Sequence, residues 1–190
     1  LPQQSQTRDE GVRRCCLLAQ ISASGERTDK QLWFLYPSAI AMPEDDNCDS
    51  YLLAVLLPAM QMRLNIIVHG SISSALLANL AEFQQVWKKW SPEQFFLVDI
   101  QVKSIRECET KVAGAIVAFS GGADAQFTAY RHATGKAGYS SQRLKAGVFI
   151  QGFDISLSDE KGFIGAKRLA SAALEDLDIK LFTVSTNIRE

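Results

Sequence analysis

Between Ala113 and Thr186, nearly all-apolar runs alternate with segments of helical periodicity, and this order constrains the fold more than any other feature of the chain. The runs AGAIVAF (113–119), AGVFIQGF (146–153) and IKLFTVST (179–186) read as strands. Between them, AQFTAYRHAT (125–134) and EKGFIGAKRLASAALEDL (160–177) read as helices. Strands without polar alternation, joined through helices, predict a parallel sheet covered on both faces, the beginning of a doubly wound α/β domain. Only three such strands precede Glu190, and sheets of this class need more to cover their core. We therefore expect the domain to be incomplete at its C-terminus, or a partner chain, including a second copy, to complete the sheet.

The preceding residues follow a different order and predict a small α+β unit over 12–108, with a boundary near Glu109 in the charged junction RECETK and the second domain over 109–190. Residues 1–11 are polar and aperiodic and read as a mobile arm. RRCCLLAQISA (13–23) and KQLWFLYP (30–37) flank a polar turn containing Gly25, a β-hairpin pattern. The acidic loop PEDDNCDS offers carboxylates to cap SYLLAVLLPAMQM, a helix that Pro58 would kink or end. LNIIVHG reads as a strand stopped by Gly70. In the helix that follows, capped by Ser73 or Ser74, Leu76, Leu77, Leu80, Phe83, Trp87 and Trp90 form one apolar stripe for core packing. QFFLVDIQVKSI then reads as a strand.

Twenty basic and twenty-one acidic side chains leave a net charge of -1. With neither a basic excess nor a basic stripe, a dedicated nucleic-acid binder is disfavoured. The longest apolar run, YLLAVLLPAM, is too short to cross a bilayer and contains a proline. No segment reads as a signal peptide. Cys15, Cys16, Cys48 and Cys108 form no C-x-x-C pair and have no histidine at finger spacing, so zinc and a disulfide framework are unsupported. Buried free thiols at Cys15 and Cys16 fit a reducing cytoplasm.

The chemistry is concentrated after the strand 113–119, in Ser120-Gly121-Gly122-Ala123-Asp124-Ala125. A loop entering a helix at about Asp124 or Ala125 exposes backbone N–H groups at the positive end of the helix dipole, a geometry that binds phosphate. Gly121 and Gly122 would allow positive φ and close approach of an anion. Ser120 adds a hydroxyl. Asp124 would accept backbone hydrogen bonds that fix the loop, or help hold Mg²⁺. The dinucleotide and Walker patterns are both absent, and Lys136 lies too far along to act as a Walker lysine. A strand-to-helix turn with these residues also exists for packing alone.

In its strand–loop–helix setting, AFSGGADAQFTAYRH, with GVFIQGFDI and LFTVSTNIRE after it, resembles the S-G-G-x-D-S loop region of the PP-loop ATP pyrophosphatases, the superfamily of adenine nucleotide alpha hydrolase-like domains that includes asparagine synthetase, GMP synthetase and 7-cyano-7-deazaguanine synthase. The resemblance implies ATP and Mg²⁺ as cofactors and cleavage of ATP between its α and β phosphates as a small-molecule oxygen is adenylated. It places Ser120, Gly121, Gly122 and Asp124 around the pyrophosphate, and the backbone of Ile150 to Gly152 near the adenine. Ala125 stands where the family has serine, which removes one hydroxyl donor worth about 1 to 3 kcal/mol. A catalytically degenerate nucleotide-binding or scaffold domain is thus the alternative to an active enzyme. Transfer of sulfur to tRNA, another chemistry of the superfamily, ranks last, because Cys108 is poorly placed for it.

Other candidates share the carboxyl edge of the predicted sheet, where α/β folds bind ligands. Asp154 is a candidate for metal or substrate contact. Asn187 and Arg189 follow the third strand, and Arg189 could pair with phosphate. His132, about two helical turns beyond the loop, could approach a phosphate but reads better as a helix-surface or core residue. His69 has no evident partner.

Overall fold

The computed structural model describes residues 1–7, 11–22, 24–107 and 114–189. In chain order these form β1 (Gln3–Gln6), β2 (Gly11–Ile21), β3 (Arg27–Pro37), α1 (Asp49–Met62), β4 (Ile66–Ser73), α2 (Ser74–Trp90), β5 (Ile100–Arg106), β6 (Ala115–Ala118), α3 (Ala123–Ala133), β7 (Leu144–Gln151), α4 (Glu160–Glu175) and β8 (Lys180–Thr186). The strands make a six-stranded sheet in the order β1-β2-β3-β8-β7-β6 and a two-stranded sheet of β4 and β5. The chain is thus a mixed α/β protein. Cys108 and the boundary expected near Glu109 lie outside the described residues.

Two compact units emerge, and neither is a single stretch of chain. The first comprises Leu1–Gln4, Cys15–Leu32 and Met42–Lys111, the second Ser5–Arg14, Trp33–Ala41 and Val112–Glu190. The hairpin β2–β3 therefore contributes to both, and Gln3–Gln6, expected in a mobile arm, is a strand.

In the first unit, β4 and β5 pair in parallel, from Ile66 opposite Ile100 to Ser73 opposite Arg106. Cys48, Leu52, Leu56 and Met60, spaced four apart along one side of α1, pack with Ile72, Leu80, Phe95 and Val98. Pro58 neither ends α1 nor stops its packing. The helix runs on to Met62 and closes at Arg63, whose φ of 57° lets its N–H reach the Ala59 carbonyl. Its first turn is served by Asn47 rather than by a carboxylate, since Asn47 Oδ1 accepts from the Asp49 N–H at 3.0 Å.

The strand expected to stop at Gly70 continues to Ser73, with an irregular register between Val68 and Ser71. A Cβ at Gly70 would lie 2.3 Å from the Asp46 carbonyl oxygen, so glycine serves a close crossing of chains. Ser73 does cap α2, accepting from the Leu76 N–H at 3.4 Å. The apolar stripe of α2 packs as expected up to Trp87. Trp90 stands 70% exposed, edge-on to Trp87, and is a correction to the expected core.

In the second unit, β6, β7 and β8 are parallel neighbours, and β3 pairs antiparallel with β8 through Phe34–Thr186 and Leu35–Ser185. The three strands are thus joined by the base of the N-terminal hairpin, within the same chain. Val117 and Phe119 form one core with Ala129 of α3, Ala170 and Leu174 of α4, and Ile179. Both helices accordingly lie on the same side of β6. That follows from strand order: two right-handed crossovers that advance without reversal, β6 to β7 to β8, put both helices on one face. Cover on both faces was expected from the sequence. Among the described residues of this unit the helical cover is on one, and Ile116, pointing the other way from Val117, is 69% exposed.

Cys15 and Cys16 are half-buried and Cys48 is buried, all three as free thiols. The burial expected for the adjacent pair is therefore only partial, because alternate residues of a strand face opposite sides. Among the described residues, no helix is long and apolar enough to cross a membrane.

Candidate functional site

At the carboxyl end of β6 the chain turns directly into α3. The Phe119 N–H still reaches the Val148 carbonyl, at 2.8 Å, so the sheet holds the chain up to the loop itself. Gly121 has φ of 81°, a left-handed conformation that side chains with a Cβ adopt only at a cost. Gly122 is the N-cap residue, extended at φ -73° and ψ 166°.

Having no side chain, Gly122 cannot accept from the first turn of α3. The contrast with the other helices is informative. Asn47 serves α1, Ser73 caps α2, and the Asp159 carboxylate accepts from Gly162 N–H at 2.9 Å on α4. At α3 the N–H groups of Ala123, Asp124 and Ala125 have no intrahelical acceptor by the geometry of an α-helix, and among the described residues no capping side chain takes that place. These donors sit at the positive end of the helix dipole and next to solvent, since Ser120, Gly122 and Asp124 are exposed.

The loop is also braced from within. Ser120 Oγ accepts from the Gly122 N–H at 3.4 Å, which leaves the hydroxyl proton free to donate outward. Gln126 Nε2 donates to the Gly121 carbonyl at 2.7 Å, turning that carbonyl toward the helix. A small cavity of about 130 Å³ lies here, lined by Ser120, Gly121, Gln126 and the α4 residues Ala166, Leu169 and Ala170. Gln126 and the α4 wall escaped sequence reasoning. Their one local signal is the small-residue spacing of Ala166 and Ala170, a helical turn apart.

Ala125 is half-buried and packs against the core that includes Val117, Phe119, Ala129, Ala170, Leu174 and Ile179. Its methyl faces protein, so the position where a serine hydroxyl was expected is part of the packing beneath the loop.

The second cluster of sequence candidates does come together, around the carboxyl ends of β7 and β8. Arg189 Nη1 lies 3.5 Å from Asp154 Oδ1 and donates to the Phe153 carbonyl at 3.0 Å. Both side chains are largely exposed, and such an ion pair contributes little to stability. Asn187 is engaged differently: its Oδ1 accepts from the Trp33 N–H at 2.9 Å and ties β3 to the end of β8. Gly152 has φ of 94°, and a Cβ there would lie 1.8 Å from the Thr186 carbonyl oxygen. Its N–H donates to the Ile155 carbonyl at 2.8 Å, so this backbone donor, expected near an adenine, is already used by its own turn.

His132 holds local structure. Its Nδ1 accepts from the Gln142 N–H at 3.0 Å and anchors the loop after α3. His69 is exposed on β4. Among the described residues no three His, Cys, Asp or Glu side chains converge as a metal site.

Comparison of the chain with protein-family models, with curated proteins and with solved structures finds no match.

Proposed function

We propose that the chain binds ATP through the Ser120–Asp124 loop in the manner of a PP-loop ATP pyrophosphatase and supports adenylation of a small-molecule carboxylate or amide-like oxygen. The observation that carries this reading is the uncapped N-terminus of α3 behind Gly121 and Gly122, where a row of free backbone donors meets solvent. An anion satisfies those donors and interacts favourably with the helix dipole.

In this reading the N–H groups of Ala123, Asp124 and Ala125 hold the β and γ phosphates, and Ser120 donates its hydroxyl proton to a phosphate oxygen. The substrate oxygen attacks the α phosphorus, the bond to the bridging oxygen breaks, and its electron pair leaves with pyrophosphate. Fixed donors stabilise the charge that develops there. Asp124 would be the residue to hold Mg²⁺, which would spread the charge of the leaving pyrophosphate. In this reading β6, β7 and β8 with α3 and α4 are part of a doubly wound domain of the adenine nucleotide alpha hydrolase-like kind.

The test is ATP binding by calorimetry together with exchange of labelled pyrophosphate into ATP over a panel of carboxylic acids. Absence of both removes the reading. The packing of Ala125 into the core favours a second reading, nucleotide binding without turnover. Ala125→Ser separates the two: a gain in pyrophosphate release marks a weakened enzyme, whereas binding without turnover in both forms marks a binding domain.

A further inference from the structure

We propose that the first half of β8 is a strand-addition groove that takes an extended segment of a partner protein carrying basic side chains. On one side β8 is paired with β7 from Lys180 to Ser185. On the other, β3 meets it at Phe34–Thr186 and Leu35–Ser185. β3 then ends at Pro37, which has no N–H to continue a ladder, and the chain turns away with the Ile40 N–H on the Pro37 carbonyl at 3.1 Å. The residues from Lys180 to Phe182 thus lie beyond the end of β3, and no other described strand pairs with that edge.

Beside that open edge runs a groove of about 350 Å³, lined by Glu175, Asp178, Ile179, Lys180, Leu181 and Phe182 among others. Its floor is apolar and its rim is acidic. The acidity is unusual in its place. No basic residue lies in the last turn of α4, and the chain continues Glu175-Asp176-Leu177-Asp178, putting three carboxylates at the negative end of a helix dipole. None of the three forms an ion pair among the described residues. Lys180 is the one cation among the lining residues.

An open strand edge supplies backbone hydrogen bonds, a groove beside it receives alternate side chains, and the rim selects their charge. Apolar and basic residues in alternation match all three. A basic side chain near Glu175 and Asp178 would also relieve the repulsion at the end of α4.

The probe is a fluorescein-labelled Lys-Val-Lys-Val-Lys-Val peptide, titrated with the full chain by anisotropy at low salt. We expect binding below about 1 mM, and weakening of about tenfold or more both for the same peptide with N-methylated valines and for the Glu175→Gln, Asp178→Asn variant, its fold checked by circular dichroism. Amides from Lys180 to Phe182 should gain protection from hydrogen exchange in the complex. Equal binding of the N-methylated peptide, unchanged binding by the variant, or no binding at millimolar peptide overturns the proposal. So does concentration-dependent self-association in sedimentation that the variant abolishes, because the occupant is then a second copy.

Discussion

The two adjacent glycines of the loop can be separated by experiment, because alanine meets different obstacles at each. At Gly121 a methyl would find no atom nearer than the Ala170 Cβ at 4.0 Å, so space is not the difficulty. The backbone is. With φ at 81°, an L-residue there costs about 1–2 kcal/mol. The lower entropy of the unfolded alanine chain returns about 0.4–1 kcal/mol, leaving Gly121→Ala destabilised by roughly 1 kcal/mol. At Gly122 φ is -73°, and the nearest atom to a new methyl is Ser120 Oγ at 3.5 Å, an ordinary contact. The same entropic gain is there set against alanine's weaker N-cap preference, and Gly122→Ala should stay within about 0.5 kcal/mol of the parent.

Binding should follow another order. If the α3 donors hold phosphates, a methyl on Gly122 stands where an anion must approach. Loss of one charge-assisted hydrogen bond costs about 1.5–3 kcal/mol, roughly ten- to a hundredfold in the Kd for Mg·ATP. Urea midpoints followed by circular dichroism give the stabilities, and calorimetric titration gives the affinities. The expected signature is a Gly122→Ala protein as stable as the parent that binds ATP poorly. ATP affinity unchanged in Gly122→Ala would refute phosphate binding at this helix. A Gly121→Ala protein with the parent's midpoint would refute the left-handed conformation of the loop.

At Gly152, both φ and space oppose a side chain, and Thr186, whose carbonyl a new Cβ would meet, is buried and bonded to the Trp33 carbonyl at 2.8 Å. Gly152→Ala should therefore cost about 3 kcal/mol or more, seen as a lowered urea midpoint, and a near-neutral result would rule out this close crossing of β7 and β8. Ser73→Ala removes the side-chain cap of α2 and should lower stability by about 1 kcal/mol, with Ser73→Asp restoring most of it. Burial raises the Tyr36 phenol above its ordinary value of 10.0, with the positive charge of Arg14 acting against the shift. The folded chain then holds this proton more tightly than the unfolded one, so the contribution is complete below pH 10.0 and is lost as pH rises through the raised value. Urea midpoints from about pH 9 to about pH 11 should fall less steeply in Tyr36→Phe than in the parent.

What the sequence discloses here is what local period and punctuation can encode. The four-residue spacing of Cys48, Leu52, Leu56 and Met60 marks the buried side of α1, and the Ser73 cap is readable from its place before an apolar stripe. The junction of β3 with β8 is not of that kind. Trp33 and Asn187 are 154 residues apart, and nothing local in either says that an asparagine side chain will take the Trp33 N–H. Gly70 shows a second limit, since a stop signal and a close crossing of chains call for the same residue. In the loop, the change from an expected serine to Ala125 is visible in the sequence, but that this residue packs against the core depends on the whole unit.

Strand order also bears on the proposed nucleotide reading. Because β6, β7 and β8 are successive neighbours, the segments after them follow adjacent strands: Ser120 to Gly122, then Gly152 to Asp154, then Asn187 to Arg189. Free backbone donors are gathered at the first of these, after β6. At the second, the Gly152 N–H is held by Ile155, and at the third, the Asn187 carboxamide is held by Trp33. On the proposed reading, a nucleotide bound across the row would be held by its phosphates at α3, since the Gly152 N–H expected near the base is engaged within its own turn. If the chain binds a nucleotide as proposed, the phosphate chain, more than the base, should supply the affinity.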